Sequence, residues 1–418
     1  MERVPKSLRV QIGIFGRTNV GKSSFLNMIA AQDVAVVSAV AGTTTDVVEK
    51  AMELRPVGPV VFLDTAGVDD DSELAGARGG RTAAVFGRAD VFVVMTEEGR
   101  WGEYEAMLCD EAGARQAPVI IVVNKADEKP LTAGFRERLG SITPYIMECS
   151  CINTGNEGRT ARDTAINTFK DILARCTADE ADMQRFLLRD LLPPGGLAIL
   201  VVPIDAGAPK GRLILPQVQT IRDALDHGGV AMAMRDSEYA AALTTLNKRP
   251  NLVICDSQVI KKVVAETPPD TRLTTFSVLF ARFKGDLREL AAGAAAIGKL
   301  KAGDKVLIAE ACAHHAAADD IGRVKIPRML RESTELGAEL AIDTCSGRDY
   351  PANLDDYALI IHCGACMLTR REMMSRIREA TNKNVPVTNY GMALSYFQGV
   401  LDRVIEPFGP DIRELASC

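Results

Sequence analysis

The chain begins with a block in which continuous apolar runs alternate with helix-like segments. The runs VQIGIFG, VVFLDTAG, ADVFVVM and PVIIVVNKAD lie between Leu8 and about residue 176. Such runs are typical of parallel strands that are buried on both faces. The segment TADEADMQRFLLRDLLPPGG follows, and it predicts a helix that is stopped by Pro193, Pro194 and two glycines. We therefore expect a first α/β domain over residues 1–177.

A second, shorter α/β block is predicted over residues 183–265. Its strands are LAILVVPID, GVAMAMRD and NLVICD, and the helices after them are LPQVQTIRDALDHGG, SEYAAALTTLNK and SQVIKKVVAE. A three-stranded unit of this size is small for an isolated domain. We expect it to be stabilised by docking or dimerisation.

A third block, residues 272–418, follows the turn-rich linker ETPPDT. One long helix, TFSVLFARFKGDLRELAAGAAAIGKL, is predicted first. The strands KVLIAEA, AELAID, YALIIHC and VPVTNY then alternate with helices such as RREMMSRIREATNK and GMALSYFQGVLDRVIEP. This alternation favours a parallel sheet with helices on both faces.

Composition and charge narrow the class of protein. The 418 residues carry a net charge of −6, which argues against a nucleic-acid partner. No apolar run reaches the roughly 18–20 residues of a membrane helix, and the first residues lack an apolar signal stretch, so we expect a cytoplasmic protein without a membrane partner. The ten cysteines do not suggest a disulfide framework in that compartment. Where they cluster, they indicate metal or redox chemistry.

The strongest motif is GRTNVGKS, Gly16 to Ser23, which follows a predicted strand and opens a predicted helix. That context is the one in which GxxxxGK[ST] forms a phosphate-binding P-loop. Gly16 and Gly21 let backbone N–H groups surround the phosphates. Lys22 supplies a cation to the β- and γ-phosphates, and the hydroxyls of Ser23 and Ser24 lie at the start of the helix.

Two further motifs predict the magnesium and γ-phosphate contacts. DTAG ends a strand. Its Asp64 is predicted to hold magnesium together with Ser23, and its Gly67 is predicted to sense the γ-phosphate. AGTTTD lies between this motif and the P-loop, and its Thr44 is predicted to ligate magnesium when the loop closes. We expect Lys22, Thr44, Asp64 and Gly67 to form the catalytic group for GTP hydrolysis.

The residues predicted to bind the base follow two further strands. NKAD supplies Asn124, Lys125 and Asp127, and the Asp127 carboxylate can accept two hydrogen bonds from guanine, which adenine does not offer. Ser150 and Cys151 close the series beside the base. Four motifs in this order predict a P-loop GTPase domain that binds GTP and magnesium.

This block resembles the translation-factor-like GTPases of the branch that contains MnmE, Era and HydF. The resemblance rests on GRTNVGKS, AGTTTD, DTAG and NKAD. In potassium-activated members an Asn of the P-loop helps to hold potassium, and Asn19 occupies that position; alternatively, Asn19 only caps a turn. Val68 stands where many GTPases have a catalytic glutamine, so slow intrinsic hydrolysis is expected.

Cysteine and histidine cluster at two strand ends of the third block. EACAHH places Cys312, His314 and His315 after one strand, and IIHCGAC places His362, Cys363 and Cys366 after another. Both clusters are expected on one edge, because ligands bind beyond the carboxyl ends of parallel strands. Spacing alone favours an iron–sulfur cluster but leaves zinc and a metal-free site open.

The pattern CxH followed by HCxxC, C-terminal to a GTPase domain, resembles the HydF family of FeFe-hydrogenase maturation scaffolds. The stretches APKGRLILPQVQTIRDAL, RVKIPRML, SGRDYP and TNYGMA also resemble that family. The resemblance implies a homodimer with GTPase, dimerisation and cluster-binding domains, and a [4Fe–4S] cluster on Cys312, Cys363 and Cys366 with His314 and His362 nearby. It also implies the radical-SAM partners HydE and HydG and delivery of a di-iron precursor to apo FeFe-hydrogenase.

Several alternatives stay open at this point. The fourth iron could take a histidine, a carboxylate such as Glu310 or Asp205, or an incoming ligand, and Cys345 is interpreted as a bystander at the same edge. A tRNA- or ribosome-acting, potassium-dependent GTPase with structural zinc is the main rival function. A catalytic redox enzyme is the third, although no second cofactor motif is present. The other six cysteines, Cys109, Cys149, Cys151, Cys176, Cys255 and Cys418, are interpreted as structural or incidental.

Overall fold

The chain forms two compact units, residues 1–184 and residues 185–418. No helix among the described residues is both long and apolar enough to cross a membrane. The computed structural model describes residues 9–30, 48–65, 85–151, 156–182, 186–204, 213–311, 320–333, 339–347, 350–351, 353–364 and 368–417.

The first unit is built on a six-stranded sheet in the order β2-β3-β1-β4-β5-β6. Strand β2 runs antiparallel to β3, and the remaining neighbours are parallel. The strands are β1 (Val10–Gly16), β2 (Val48–Leu54), β3 (Gly58–Asp64), β4 (Val91–Glu97), β5 (Val119–Asn124) and β6 (Ile146–Glu148). The helices are α1 (Lys22–Ala30), α2 (Glu103–Ala114), α3 (Ala133–Gly140) and α4 (Asn156–Asp182).

All four strands predicted in this unit are confirmed as β1, β3, β4 and β5. Their central residues, such as Ile14, Phe62 and Val93, are fully buried between helices on both faces, which explains why the apolar runs are continuous. The sequence pattern missed β2 and β6. Strand β2 reads VEKAMEL and lies at the sheet edge, and β6 has only three residues, so neither produces a continuous apolar run.

The predicted helix that ends at Pro193 is wrong in its second half. The helix α4 ends at Asp182, and residues 186–196 lie in turns and bends. Leu188 and Leu191 of this segment are buried in a core with β7 (Leu197–Val201). The apolar spacing that predicted a helix here therefore arises because these leucines are buried against the next sheet.

The second unit contains two parallel sheets of four strands each. The first has the order β10-β9-β7-β8. Besides β7, its strands are β8 (Val230–Met234), β9 (Leu252–Cys255) and β10 (Leu273–Thr275), with helices α5 (Leu215–Asp226), α6 (Tyr239–Thr245) and α7 (Ile260–Glu266). The three predicted strands are confirmed. The sequence pattern missed β10, because a strand of three residues is too short to produce a recognisable pattern.

The long helix predicted after this sheet is two helices, α8 (Phe276–Lys284) and α9 (Leu287–Ala295). Gly285 breaks it: its φ and ψ of −120° and −155° are extended. Asp286 then starts α9, because its carboxylate accepts hydrogen bonds from the backbone N–H groups of Arg288 and Glu289.

The last sheet has the order β12-β11-β13-β14, and all its pairings are parallel as predicted. Helices cover it, and its central residues, such as Ile308 and Ile361, are fully buried. Its elements are β11 (Lys305–Glu310), a π-helical turn (Ile321–Lys325), α10 (Ile326–Ser333), β12 (Ala341–Ser346), β13 (Leu359–His362), α11 (Arg370–Asn382), β14 (Val387–Asn389), α12 (Tyr390–Phe397), α13 (Leu401–Ile405) and α14 (Pro410–Ser417).

Candidate functional site

The loop between β1 and α1 has the backbone that a phosphate-binding loop requires. Gly16 and Gly21 have φ angles of +151° and +99°, which side-chain-bearing residues rarely adopt. A Cβ atom at Gly21 would lie 2.2 Å from the Asn124 side-chain nitrogen. Asn19 also has a positive φ, 62°, and it is exposed. Asn tolerates this left-handed conformation better than most residues, so the turn by itself accounts for an Asn here.

The Lys22 side chain is held in place by backbone carbonyl groups of the same loop. Its ammonium donates hydrogen bonds to the carbonyl oxygens of Gly16 and Arg17, both at 2.9 Å, and the residue is buried. These two bonds fix the ammonium against the backbone of the loop.

The predicted magnesium ligands of the first unit are neighbours. The Ser23 hydroxyl donates a hydrogen bond to Asp64 Oδ2 across 3.4 Å. Burial raises the pKa of the Asp64 carboxyl, and the nearby Lys22 charge opposes this rise. Asp64 Oδ1 is buried and has no hydrogen-bond partner among the residues that the structure describes. A hydroxyl and an unsatisfied carboxylate are the hard oxygen donors that Mg²⁺ prefers, so these residues fit the ion. Thr44, Gly67 and Val68 lie outside the described residues.

The base motif at the end of β5 is tied to the P-loop. The buried Asn124 amide donates to the Val20 carbonyl oxygen at 2.8 Å. Lys125 has a φ of 60° and forms an ion pair with Glu97 at 2.6 Å. Asp127 is exposed and, with Ser150, lines an open groove of about 1000 Å³. Its carboxylate is therefore accessible for the two guanine donors.

The loop after β6 brings Cys149 next to Cys151, the cysteine predicted beside the base, and this pairing was not expected. The sulfur atoms of Cys149 and Cys151 lie 3.9 Å apart, and Cys149 also contacts Asn124 Oδ1 at 3.6 Å. The spacing of two residues in CSC was the available signal. Ser150, between them, has a buried hydroxyl oxygen without a hydrogen-bond partner.

Three of the chemistry-bearing residues lie at the carboxyl edge of the last sheet. Ala309 of β11 is in register with Cys345 of β12 and with His362 of β13. The next residue, Cys363, is half-buried, and its sulfur accepts a hydrogen bond from the Ala311 N–H at 3.1 Å. A sulfur that accepts such a bond at a sheet edge suits a cluster ligand, because N–H donors stabilise the thiolate form.

His362 is engaged through both ring nitrogens. Its Nε2 lies 2.7 Å from an Arg376 guanidinium nitrogen, and its Nδ1 lies 2.8 Å from the Cys363 carbonyl oxygen. Arg376 can only donate, so Nε2 accepts and the Nδ1–H donates to Cys363. Burial and the Arg376 charge lower the pKa of His362 to about 3. This arrangement leaves neither nitrogen free for a metal and makes His362 a support of Cys363.

Glu310, at the end of β11, is 1% exposed. Its Oε2 accepts hydrogen bonds from Arg323 at 2.8 Å and from the Ser346 hydroxyl at 3.1 Å. Within the described part of the chain, its Oε1 and the Tyr390 hydroxyl are both buried without hydrogen-bond partners, and both lie against Gly322. Buried polar atoms are normally satisfied, so this edge offers unused oxygen atoms.

Among the residues that the structure describes, no three or more His, Cys, Asp or Glu side chains lie close enough to hold a metal ion. Of the five predicted residues of the cluster site, only His362 and Cys363 belong to that part of the chain. Cys312, His314, Cys366 and Asp205 lie outside it.

Models of known protein families match three consecutive segments. The 50S ribosome-binding GTPase family matches residues 11–125. The hydrogen maturase F dimerization domain matches residues 187–285, and the hydrogen maturase F tetramerization domain matches residues 288–407. The chain belongs to the hydrogen maturase F family. The segment interpreted from the sequence as cluster-binding is thus the one described in this family as a tetramerization domain.

Curated relatives match the GTPase segment. The tRNA modification GTPase MnmE of Synechococcus sp. strain JA-3-3Ab is 42% identical over 125 residues, which are 29% of this chain and 26% of that protein. MnmE of Ruegeria pomeroyi is 36% identical over 183 residues, 40% of each chain. The chain therefore spans about a quarter to two fifths of the length of these relatives.

Solved structures give weaker likenesses. Era of Aquifex aeolicus has a TM-score of 0.29 at 19% identity and covers 54% of this chain and 92% of that chain. The G domain of the T. maritima FeoB iron transporter has a TM-score of 0.25 at 17% identity and covers 38% of this chain and 99% of that chain.

Proposed function

We propose that the chain is a GTP-hydrolysing scaffold of FeFe-hydrogenase maturation. It holds an iron–sulfur cluster, carries a di-iron precursor and delivers it to apo FeFe-hydrogenase. The observation that carries the proposal is the succession, in one chain, of a GTPase domain and two hydrogen maturase F domains. The radical-SAM proteins HydE and HydG are proposed as the suppliers of the precursor.

GTP hydrolysis is assigned to the first unit. Lys22 orients the phosphates, Ser23 and Asp64 hold magnesium, and Asp127 selects guanine through two hydrogen bonds. Magnesium supplies charge neutralisation at the phosphates when bound. Val68 cannot orient water through a hydrogen bond, so we expect slow hydrolysis. A potassium ion held by Asn19 would replace the arginine finger of other GTPases.

The cluster is assigned to the carboxyl edge of the last sheet. Cys363 fits a ligand through its position and its N–H···S bond, and Cys312 and Cys366 are proposed as the other thiolates. Glu310 fits an exchangeable fourth position, because one of its oxygens is buried without a partner. An exchangeable ligand suits a scaffold, since a permanent fourth thiolate would block docking of a second metal unit.

A homodimer is proposed through the sheet that contains β8. This strand is at the sheet edge, and its Val230 is 51% exposed. On α5, Val218 and Leu225 are 48% and 58% exposed, and their spacing of seven residues places them on one helix face. An open strand edge beside exposed apolar side chains is a typical site of self-association.

The test is anaerobic purification and reconstitution, followed by iron, sulfide and zinc analysis and EPR spectroscopy. We expect about four irons and four sulfides per wild-type chain if a [4Fe–4S] cluster forms. Cys363→Ala should lose most of the iron and the cluster signal. Partner binding should also differ between the GTP and GDP states, as measured with HydE, HydG and the apo-hydrogenase.

Cys345→Ala is the matched control, because Cys345 lies at the same edge but outside the predicted ligand set. It should retain iron, sulfide and the EPR signal of the wild type. Stoichiometric zinc without a cluster signal would overturn the cluster assignment and favour the rival GTPase with structural zinc. Equal partner affinity in both nucleotide states would overturn the coupling of GTP hydrolysis to delivery.

A further inference from the structure

The thiol pair of the first unit lies inside the predicted guanine site. Cys149 is 5% exposed, Cys151 is half-buried, and their sulfurs are 3.9 Å apart. Cys149 lines the same groove as Asp127 and Ser150. The pair is therefore both close together and adjacent to a surface that small solutes reach.

We propose that Cys149 and Cys151 form a reversible disulfide that weakens guanine-nucleotide binding. The sulfurs need only approach from 3.9 Å to about 2.05 Å. The bond closes a small ring across Ser150, and strained disulfides of this kind are the easily reduced, regulatory ones. This inference goes beyond the proposed function and requires only that the reduced chain bind guanine nucleotide.

A chain of hydrogen bonds connects the thiols to the phosphate loop. The Cys149 thiol donates to Asn124 Oδ1 at 3.6 Å, and the Asn124 amide donates to the Val20 carbonyl at 2.8 Å. The Cys149 carbonyl also accepts from the Ala126 N–H at 3.1 Å. Disulfide formation removes the thiol proton from Asn124 and pulls the Cys149 side chain towards Cys151. The base motif and the P-loop then lose part of their common support.

The redox step balances with a low-molecular-weight disulfide as oxidant. The Cys151 thiolate attacks one sulfur of the oxidant, the oxidant's S–S bond breaks, and a thiolate leaves. The Cys149 thiolate then attacks the Cys151 sulfur of the mixed disulfide and releases the second thiolate. The two leaving thiolates take up the two cysteine protons, so two electrons pass from the protein to the oxidant.

The order of attack follows from the environment of each thiol. Contact with the Cys149 thiol lowers the pKa of Cys151, and Cys151 is the more exposed of the two residues. The same contact, together with burial, raises the pKa of Cys149. Since the thiolate is the nucleophile, Cys151 reacts first and Cys149 resolves the intermediate.

The test uses the full chain, reduced or treated with glutathione disulfide, and measures GDP affinity with a fluorescent GDP analogue. The tryptic peptide Leu139–Arg159 contains these two cysteines and no other, so mass spectrometry detects the disulfide as the loss of two hydrogens. We expect the treated chain to bind GDP about tenfold more weakly, with recovery after dithiothreitol, which corresponds to about 1.4 kcal/mol.

Cys151→Ser should bind GDP with the same affinity before and after treatment, whatever its basal affinity is. Cys149→Ser should instead stop at the mixed disulfide, which mass spectrometry detects as one glutathione on Cys151. Cys109→Ser is the matched control in the same unit and should respond as the wild type does. Absence of the peptide disulfide overturns the proposal, as does a disulfide that changes affinity less than twofold. A reduced chain that binds no GDP would instead overturn the nucleotide site itself.

Discussion

The Asn124 side-chain amide donates a hydrogen bond to the Val20 carbonyl oxygen across 2.8 Å, and both residues are buried. Val20 belongs to the phosphate loop and Asn124 to the base motif. The bond therefore couples the position of the two halves of the nucleotide site. A buried carbonyl that loses such a donor stays unsatisfied, at a cost of about 1–3 kcal/mol.

The variant Asn124→Ala should consequently bind GDP about 10- to 100-fold more weakly than the wild type. The measurement is titration with a fluorescent GDP analogue under reducing conditions. Asn247→Ala, at an exposed position in the second unit, should bind GDP with unchanged affinity. An Asn124→Ala affinity within threefold of the wild type would contradict the coupling.

A second prediction separates the two interpretations of Asn19. If its amide holds potassium, GTP hydrolysis should be about tenfold faster in potassium than in sodium, because a bound cation stabilises the developing charge. Asn19→Gly keeps the left-handed backbone without strain but removes the amide, so its rate should no longer respond to potassium. If Asn19→Gly retains the potassium effect, the only role left for Asn19 is to form the turn of the phosphate loop.

Much of the nucleotide site was predictable because each motif follows a buried strand. Continuous apolar runs located β1, β3 and β5, and parallel strands place their carboxyl ends at one edge. Ser23 and Asp64, which were both predicted to hold magnesium, lie within hydrogen-bond distance of each other. The edge of the last sheet was predictable for the same reason. Cys345 and His362 are both in register with Ala309 of β11 at this edge.

What the sequence did not reveal depends on contacts between distant or dissimilar positions. Arg376 reaches His362 from α11, and no spacing rule connects a helix arginine to a strand-end histidine. Cys149 seemed incidental because the approach of its sulfur to that of Cys151, at 3.9 Å, depends on the backbone conformation after β6. The helix break at Gly285 was not predicted, because the apolar pattern continues on both sides of it. Such a pattern shows which residues are buried but not where the chain changes direction.

A third prediction concerns the support of Cys363. Arg376 donates to His362 and to the Gly347 carbonyl at 2.8 Å, and its guanidinium lies 4.7 Å from the centre of the Tyr350 ring. Arg376→Met should lower the free energy of unfolding by about 2–4 kcal/mol, because the buried His362 nitrogen and the half-buried Gly347 carbonyl lose their donor. Denaturant unfolding of the cluster-free chain measures this directly.

The control is Arg328→Met, since Arg328 is exposed and forms an exposed ion pair with Glu332 at 3.9 Å. Such pairs contribute little, so its unfolding free energy should change by less than about 1 kcal/mol. Equal stability of the Arg376 and Arg328 variants would show that the buried guanidinium does not support this sheet edge.

The last prediction tests the proposed dimer at the edge strand β8. Val230→Glu places a carboxylate on a half-exposed apolar position next to α5. If a second copy covers this edge, the buried charge would lack a partner and would cost several kcal/mol. We expect a dimer about 100-fold weaker, which light scattering after size-exclusion chromatography reports as a shift to monomer at micromolar concentration. Ile142→Glu, at a 41% exposed position of the GTPase unit, should leave the mass unchanged, and a Val230→Glu chain that stays dimeric would exclude this edge from the interface.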